Sequence, residues 1–129
     1  MVLYYDCFSG ISGDMNLAAM LDLGVPATYL IDEIKKLNLS GYSIKITIDQ
    51  RNSISGTRVH VRLEEDQSSG KPRNLSDITD IIESSALSTI VKDKSLMMFQ
   101  KLAEVEAKVH GKHIDETHFH EVGAIDSII

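Results

Sequence analysis

Two runs of strict alternation constrain the fold of this chain more than any other feature. Tyr42, Ile44, Ile46 and Ile48 alternate with Ser43, Lys45, Thr47 and Asp49, and Val59, Val61 and Leu63 alternate with Arg58, His60 and Arg62. A period of two sends successive side chains to opposite faces, so each run predicts a strand with one apolar and one polar face. Asn52 and Gly56 lie between the runs and predict a hairpin turn. His60, on the polar face between two arginines, reads as a solvated strand residue. A one-sided hairpin must bury its apolar face beneath other elements.

Those elements are helical. Ser12 predicts the cap of a first helix carrying Leu17, Ala18, Met20 and Leu21, and Gly24 ends it. Pro26 opens a second, with Leu30, Ile31, Ile34 and Leu37 as its apolar stripe. Ser76 predicts the cap of a third, using Ile78, Ile81 and Ile82. Ser88 predicts the cap of a long fourth helix ending at Gly111, with Val91, Met98, Leu102, Val105 and Val109 as its core stripe and Phe99 beside them. Met97 and Met98 read as core filler. Ahead of all this, Val2 to Phe8 is almost continuously apolar and predicts a strand buried on both faces. Residues 64–74 are polar, without periodicity, and predict a mobile loop. The order predicts an α+β fold, a small mostly antiparallel sheet covered by about four helices in a two-layer sandwich.

At 129 residues the chain has the length of one domain. No apolar run approaches the roughly 20 residues that span a membrane, and Asp6 interrupts the first segment too early for a signal peptide. Cys7 is the only cysteine, which excludes an intramolecular disulfide and points to the cytoplasm. A net charge of -6 argues against nucleic acid as a partner and suits cation capture. The apolar run Ala124 to Ile129 has no stop after it, so residues 1–129 read as the N-terminal domain of a longer protein.

Four of the five histidines stand between His110 and His120. Imidazole with carboxylate suits borderline divalent metals. In an extended segment His118 and His120 point to one face while Phe119 turns back to the core, a two-nitrogen chelate with Glu121 beside it. His110 is better explained by the helix end, where a cation answers the macrodipole. His113 is ambiguous. Asp6, near the end of an apolar run, is either a loop cap or a ligand. The loop of Ser9, Gly10, Ser12 and Gly13 offers backbone N–H groups to an anion, although Ser12 as a cap and Asp14 as a helix-start acid account for it without a ligand. It is neither a Walker A loop nor a nucleophile elbow.

The segments DCFSGISGDM (Asp6 to Met15) and HFHEVGAIDSI (His118 to Ile128), with the RNSISGTRV turn and the helix ending AEVEAKVHG, together resemble the nickel-insertion proteins of nickel-pincer cofactor biosynthesis, the LarC family. The resemblance covers essentially this whole chain and only the N-terminal part of the family's length. It implies insertion of Ni(II) into pyridinium-3,5-bisthiocarboxylic acid mononucleotide, giving the cofactor of lactate racemase, with CTP and Mg(II) or Mn(II) used through a C-terminal region. It implies one pocket in which His118, His120, Asp6 and Asp14 hold metal and Glu121 or Asp126 acts as general base; Ser9, Gly10, Ser12 and Gly13 stand beside these as candidate cofactor-binding residues, the loop that holds phosphate in the hydrolase reading. The implied partners are the mononucleotide and that C-terminal region, with room for a homo-oligomer and none for a membrane. Residues 64–74 lack the histidine tract that many members carry there. The competing readings are a metal-dependent hydrolase or phosphoryl-transfer enzyme, and a non-catalytic metal-binding module.

Overall fold

The computed structural model describes residues 2–64, 73–119 and 123–129. Strands β1 (Tyr42–Arg51) and β2 (Ile54–Leu63) form the antiparallel hairpin, paired from Tyr42 opposite Leu63 to Arg51 opposite Ile54. The turn is Asn52–Ser53, both at positive φ (49° and 66°). Two such residues make the two-residue turn whose twist matches the strands. Gly56, which the sequence places in the turn, instead lies in β2 opposite Asp49.

Helix α1 (Gly13–Asp22) starts as the sequence predicts, with Ser12 Oγ accepting the Met15 N–H at 3.2 Å, and Gly24 follows its end at φ 102°. Helix α2 (Ala27–Lys35) begins after Pro26 and turns Ile34 inward, with Leu37 buried just beyond it. Helix α3 (Leu75–Ser84) is capped by Asn74 and not by Ser76. Asn74 accepts the Asp77 N–H, and the Asp77 carboxylate returns to the Asn74 N–H, so two orphan donors are satisfied at once. Helix α4 (Thr89–His110) begins after Ser88, whose side chain makes no capping bond, and closes on Gly111 at φ 61°. A 3₁₀ turn (Ile114–Glu116) and the short α5 (Ile125–Ile128) complete the order. The α+β class and the antiparallel pairing are as predicted, with five α-helices among the described residues.

Three expectations are corrected. Val2–Phe8 is not a strand: Val2, Tyr4 and Phe8 are 92%, 82% and 91% exposed. A strand buried on both faces needs neighbours on its edges, whereas β1 and β2 are paired with each other and the Thr57 N–H on the edge of β2 is taken by the Asp22 carboxylate. The stripe assigned to the core of α4 is exposed, from Val91 at 42% to Val109 at 73%, and Met97 and Met98 are exposed with it. The buried side of α4 is instead Phe99, Ala103 and Ala107, where two small residues let neighbouring elements approach the helix closely. The core is built from Ile78 and Ile82 of α3, Phe99 and Ala103 of α4, Phe119, and Ile128 of α5. The mobile-loop expectation falls chiefly on 65–72, outside the described residues.

The exposed apolar side chains have a cost in area. The chain presents 9339 Å² to solvent, against about 6,800 Å² for a typical folded monomer of 14.3 kDa. Among the described residues no helix is long and apolar enough to cross a membrane.

Helix α1 is tied to the hairpin by Asp22, which accepts from both the hydroxyl and the N–H of Thr57. The Thr57 hydroxyl, and then its N–H, hold the Asp22 carboxyl below the ordinary carboxylate range. A depressed carboxyl contributes stability above its unfolded pKa and loses it as pH falls through the folded one. Asp22→Asn should therefore make acid unfolding less steep below about pH 4, measured by thermal midpoints at successive pH values. Unchanged acid sensitivity would show that the Thr57 bonds do not persist in solution.

Candidate functional site

The histidine segment is anchored by the residues that open α3. After Gly111 the chain makes its 3₁₀ turn, and Thr117, buried at 3% exposure, donates its hydroxyl to the His113 carbonyl at 3.0 Å. His118 then forms an isolated antiparallel bridge with Asn74, and the Phe119 N–H donates to the Arg73 carbonyl at 3.0 Å. His118 is exposed while Phe119 is 3% exposed, the alternation that an extended segment demands. Phe119 meets Phe99 edge to face, with ring centroids 6.2 Å apart.

Arg73 holds the far end as well. Its Nη1 donates to the Gly123 carbonyl at 2.8 Å. A Cβ at Gly123 would stand 3.2 Å from both Cβ and O of Phe119 and 3.3 Å from the Arg73 nitrogen, so a side chain there would require these neighbours to give by a few tenths of an ångström. One arginine thus fixes Phe119 through its carbonyl and Gly123 through its guanidinium. His120 and Glu121 stand between these points in the sequence, outside the described residues. Asp126 is exposed on α5, which buries Ile125 and Ile128. His113 faces Asp115 at 3.1 Å, and His110 lies 3.4 Å from Glu106 at the end of α4.

The N-terminal motif reaches the hairpin at its end, through Asp14 and Met15. Gly10, at φ 82°, turns back so that its N–H donates to the Cys7 carbonyl. Ser12 is committed to its cap, and the Tyr5 hydroxyl donates to Asn16 at 2.8 Å. Asp6 is exposed and lies outside any strand. Asp14 faces His60: Oδ2 and Nδ1 are 3.3 Å apart, with both side chains a little under half exposed. His60 is therefore a partnered residue and not merely a solvated one. Asp14 also borders a cleft of about 670 Å³ between α1 and the hairpin, with Met15, Asp49, Arg51, Ile54 and Arg58 among its walls.

Among the described residues no three of His, Cys, Asp and Glu are grouped as a metal would require. Asp6, Asp14, His118 and Asp126 are thus not drawn together by themselves; Asp14 goes to the hairpin and His118 to the entrance of α3. The residues that sequence reasoning missed are Arg73, Asn74 and the Asp14–His60 pair. The only local signal was an Asn placed three residues before Asp77, the spacing of a reciprocal cap.

Comparison with known proteins bears on what these residues serve. The family model described as nickel insertion protein matches residues 3–129. The chain belongs to that family. Among other nickel insertion proteins, it is 55% identical to the pyridinium-3,5-bisthiocarboxylic acid mononucleotide nickel insertion protein of Clostridium kluyveri, over 99% of this chain and 35% of that protein. It is 49% identical to the protein of the same description from Clostridium acetobutylicum, over 99% of this chain and 38% of that one. The chain therefore spans little more than a third of the length of these nickel insertion proteins. No solved structure matches it.

Proposed function

We propose that this chain is the nickel-handling domain of a cytoplasmic protein that inserts Ni(II) into pyridinium-3,5-bisthiocarboxylic acid mononucleotide, yielding the nickel-pincer cofactor of lactate racemase. The observation that carries this reading is the family match across residues 3–129, which takes in both the Asp6 to Met15 segment and the histidine segment. The grip of Arg73 supports it, because a segment held near both ends gives up less freedom when it closes on a cation.

In this reading His118 and His120 supply imidazole nitrogen to Ni(II); Asp14, which lies with His60 on the hairpin, does not join them. The metal–carbon bond forms as a ring C–H is lost, and the carboxylate of Glu121 or Asp126 takes that proton. CTP, with Mg(II) or Mn(II), is used by the part of the family's length that this chain does not span. Calorimetric titration with Ni(II) tests the reading: one histidine-dependent site is expected, with no cofactor formed by this chain alone. Turnover of a phosphomonoester or phosphodiester with Zn(II), Mn(II) or Mg(II) would replace it with a hydrolase.

A further inference from the structure

The polar face of the hairpin concentrates positive charge in a chain whose net charge is -6. Lys45 stands opposite His60, Thr47 opposite Arg58 and Ser43 opposite Arg62. The alternation puts Lys45, Arg58, His60 and Arg62 on one side, around a recess of about 160 Å³. Like charges on neighbouring strands destabilise a sheet, and nearby acids relieve this only in part. Asp49 lies 3.4 Å from Arg58, and Asp14 faces His60. Among the described residues Lys45 and Arg62 have neither an ion pair nor a side-chain hydrogen bond.

This recess adjoins the larger cleft through Arg58, which lines both. The cleft's volume lies within the roughly 300–1,000 Å³ typical of small-molecule sites. Its border carries the carboxylates of Asp14 and Asp49 and the guanidinium groups of Arg51 and Arg58, beside Met15 and Ile54. A recess of positive charge thus gives way to a cleft of mixed charge with apolar side chains in its walls.

We propose that the hairpin face is the substrate site of this domain, with Lys45, Arg58 and Arg62 receiving the phosphate monoester of a pyridinium mononucleotide and the cleft receiving its ring. The inference rests on the nickel-insertion reading and assigns the substrate a place in it. A phosphate dianion accepts charge-assisted bonds from guanidinium and ammonium groups. The ring's cationic nitrogen meets the carboxylates of Asp14 and Asp49, and its acid groups meet the guanidinium of Arg51. The Ser9 to Gly13 loop is the poorer phosphate site, because the Ser12 hydroxyl is already committed to Met15 and Asp14 follows at once.

The test uses nicotinic acid mononucleotide as probe, nicotinic acid riboside as its phosphate-free counterpart, and inorganic phosphate, each titrated into the 129-residue chain. The mononucleotide is expected to bind at least about tenfold more tightly than either fragment, a difference of about 1.4 kcal/mol that a single charge-assisted bond can supply. The double variant Lys45→Ala/Arg62→Ala should lose about tenfold or more of that affinity, while Lys94→Ala/Lys112→Ala, the same charge change elsewhere, should lose almost none. Equal affinity for mononucleotide and riboside, or equal losses in the two double variants, would overturn the proposal. A chain that binds Ni(II) but no mononucleotide would also overturn it and leave the nickel reading intact. Mononucleotide binding of the expected pattern without Ni(II) binding would count against the nickel reading alone.

Discussion

The variant His118→Ala/His120→Ala should bind Ni(II) about 100-fold more weakly than the wild-type chain, or not measurably. Changing groups that only support a metal's ligands already costs about 10–100-fold in affinity, so removing the two ligands proposed above should cost at least the upper figure. His118 is exposed and touches the fold through its backbone bridge to Asn74, so its truncation leaves the core intact. Arg73→Ala provides the graded comparison. It keeps the carbonyl that accepts from Phe119 and loses only the guanidinium bond to Gly123. A loss of about tenfold is expected for it, in the range of a supporting group. If the double histidine variant kept full affinity, the metal would have to sit elsewhere, and the Asp14–His60 pair would be the next place to look.

Phe119→Ala should be among the most destabilising single changes in the chain, by about 3–5 kcal/mol. Phe119 is 3% exposed, in the same cluster as Ile78, Ile82 and Ala103 and edge to face with Phe99. Small domains are stable by only about 5–15 kcal/mol, so such a loss takes a large share of the total. It should also weaken Ni(II) binding, because Phe119 joins the histidine segment to the core. Phe119→Leu, which keeps most of the apolar volume, should recover much of both. Denaturant titration measures the first effect and calorimetry the second. A loss below about 1 kcal/mol for Phe119→Ala would place the ring outside the working core.

The legible parts of this fold were those decided by near neighbours. The hairpin shows itself in the alternation from Tyr42 to Asp49 and from Arg58 to Leu63, because each strand's inner face is a local pattern. Ser12, Gly24 and Gly111 were correctly placed, since a helix end is settled by a few adjacent groups. Asn74 and Ser76 are both competent caps, and Asp77 decides between them through its reciprocal bond. The failures share a different cause. An apolar run such as Val2 to Phe8 records a demand for burial and says nothing of whether a neighbouring strand exists. Helix α4 carries apolar residues on two sides, and the informative signal was the pair of small residues Ala103 and Ala107 beside Phe99, not the larger stripe. At the site, the turn of Phe119 into the core and of His118 outward was visible in alternation. Asp14 meeting His60 across 46 residues, and Arg73 reaching Gly123 across 50, have no local signature.

The apolar surface left open on α4 and on Val2–Phe8 also determines how the free energy of this chain varies with temperature and denaturant. Heat capacity rises on unfolding in proportion to apolar area newly wetted, and the urea slope follows total area in the same way. Side chains such as Phe8, Ile90, Met98 and Val109 are wet before unfolding begins, so they add little to either quantity. Scanning calorimetry should give a heat-capacity increment below the usual 12–15 cal/mol/K per residue, at about 10 or less. An increment in the usual range would mean that the face is covered in solution. With the smaller increment the stability curve is broad and shallow, and the chain changes little in stability over a wide span of temperature on either side of its maximum.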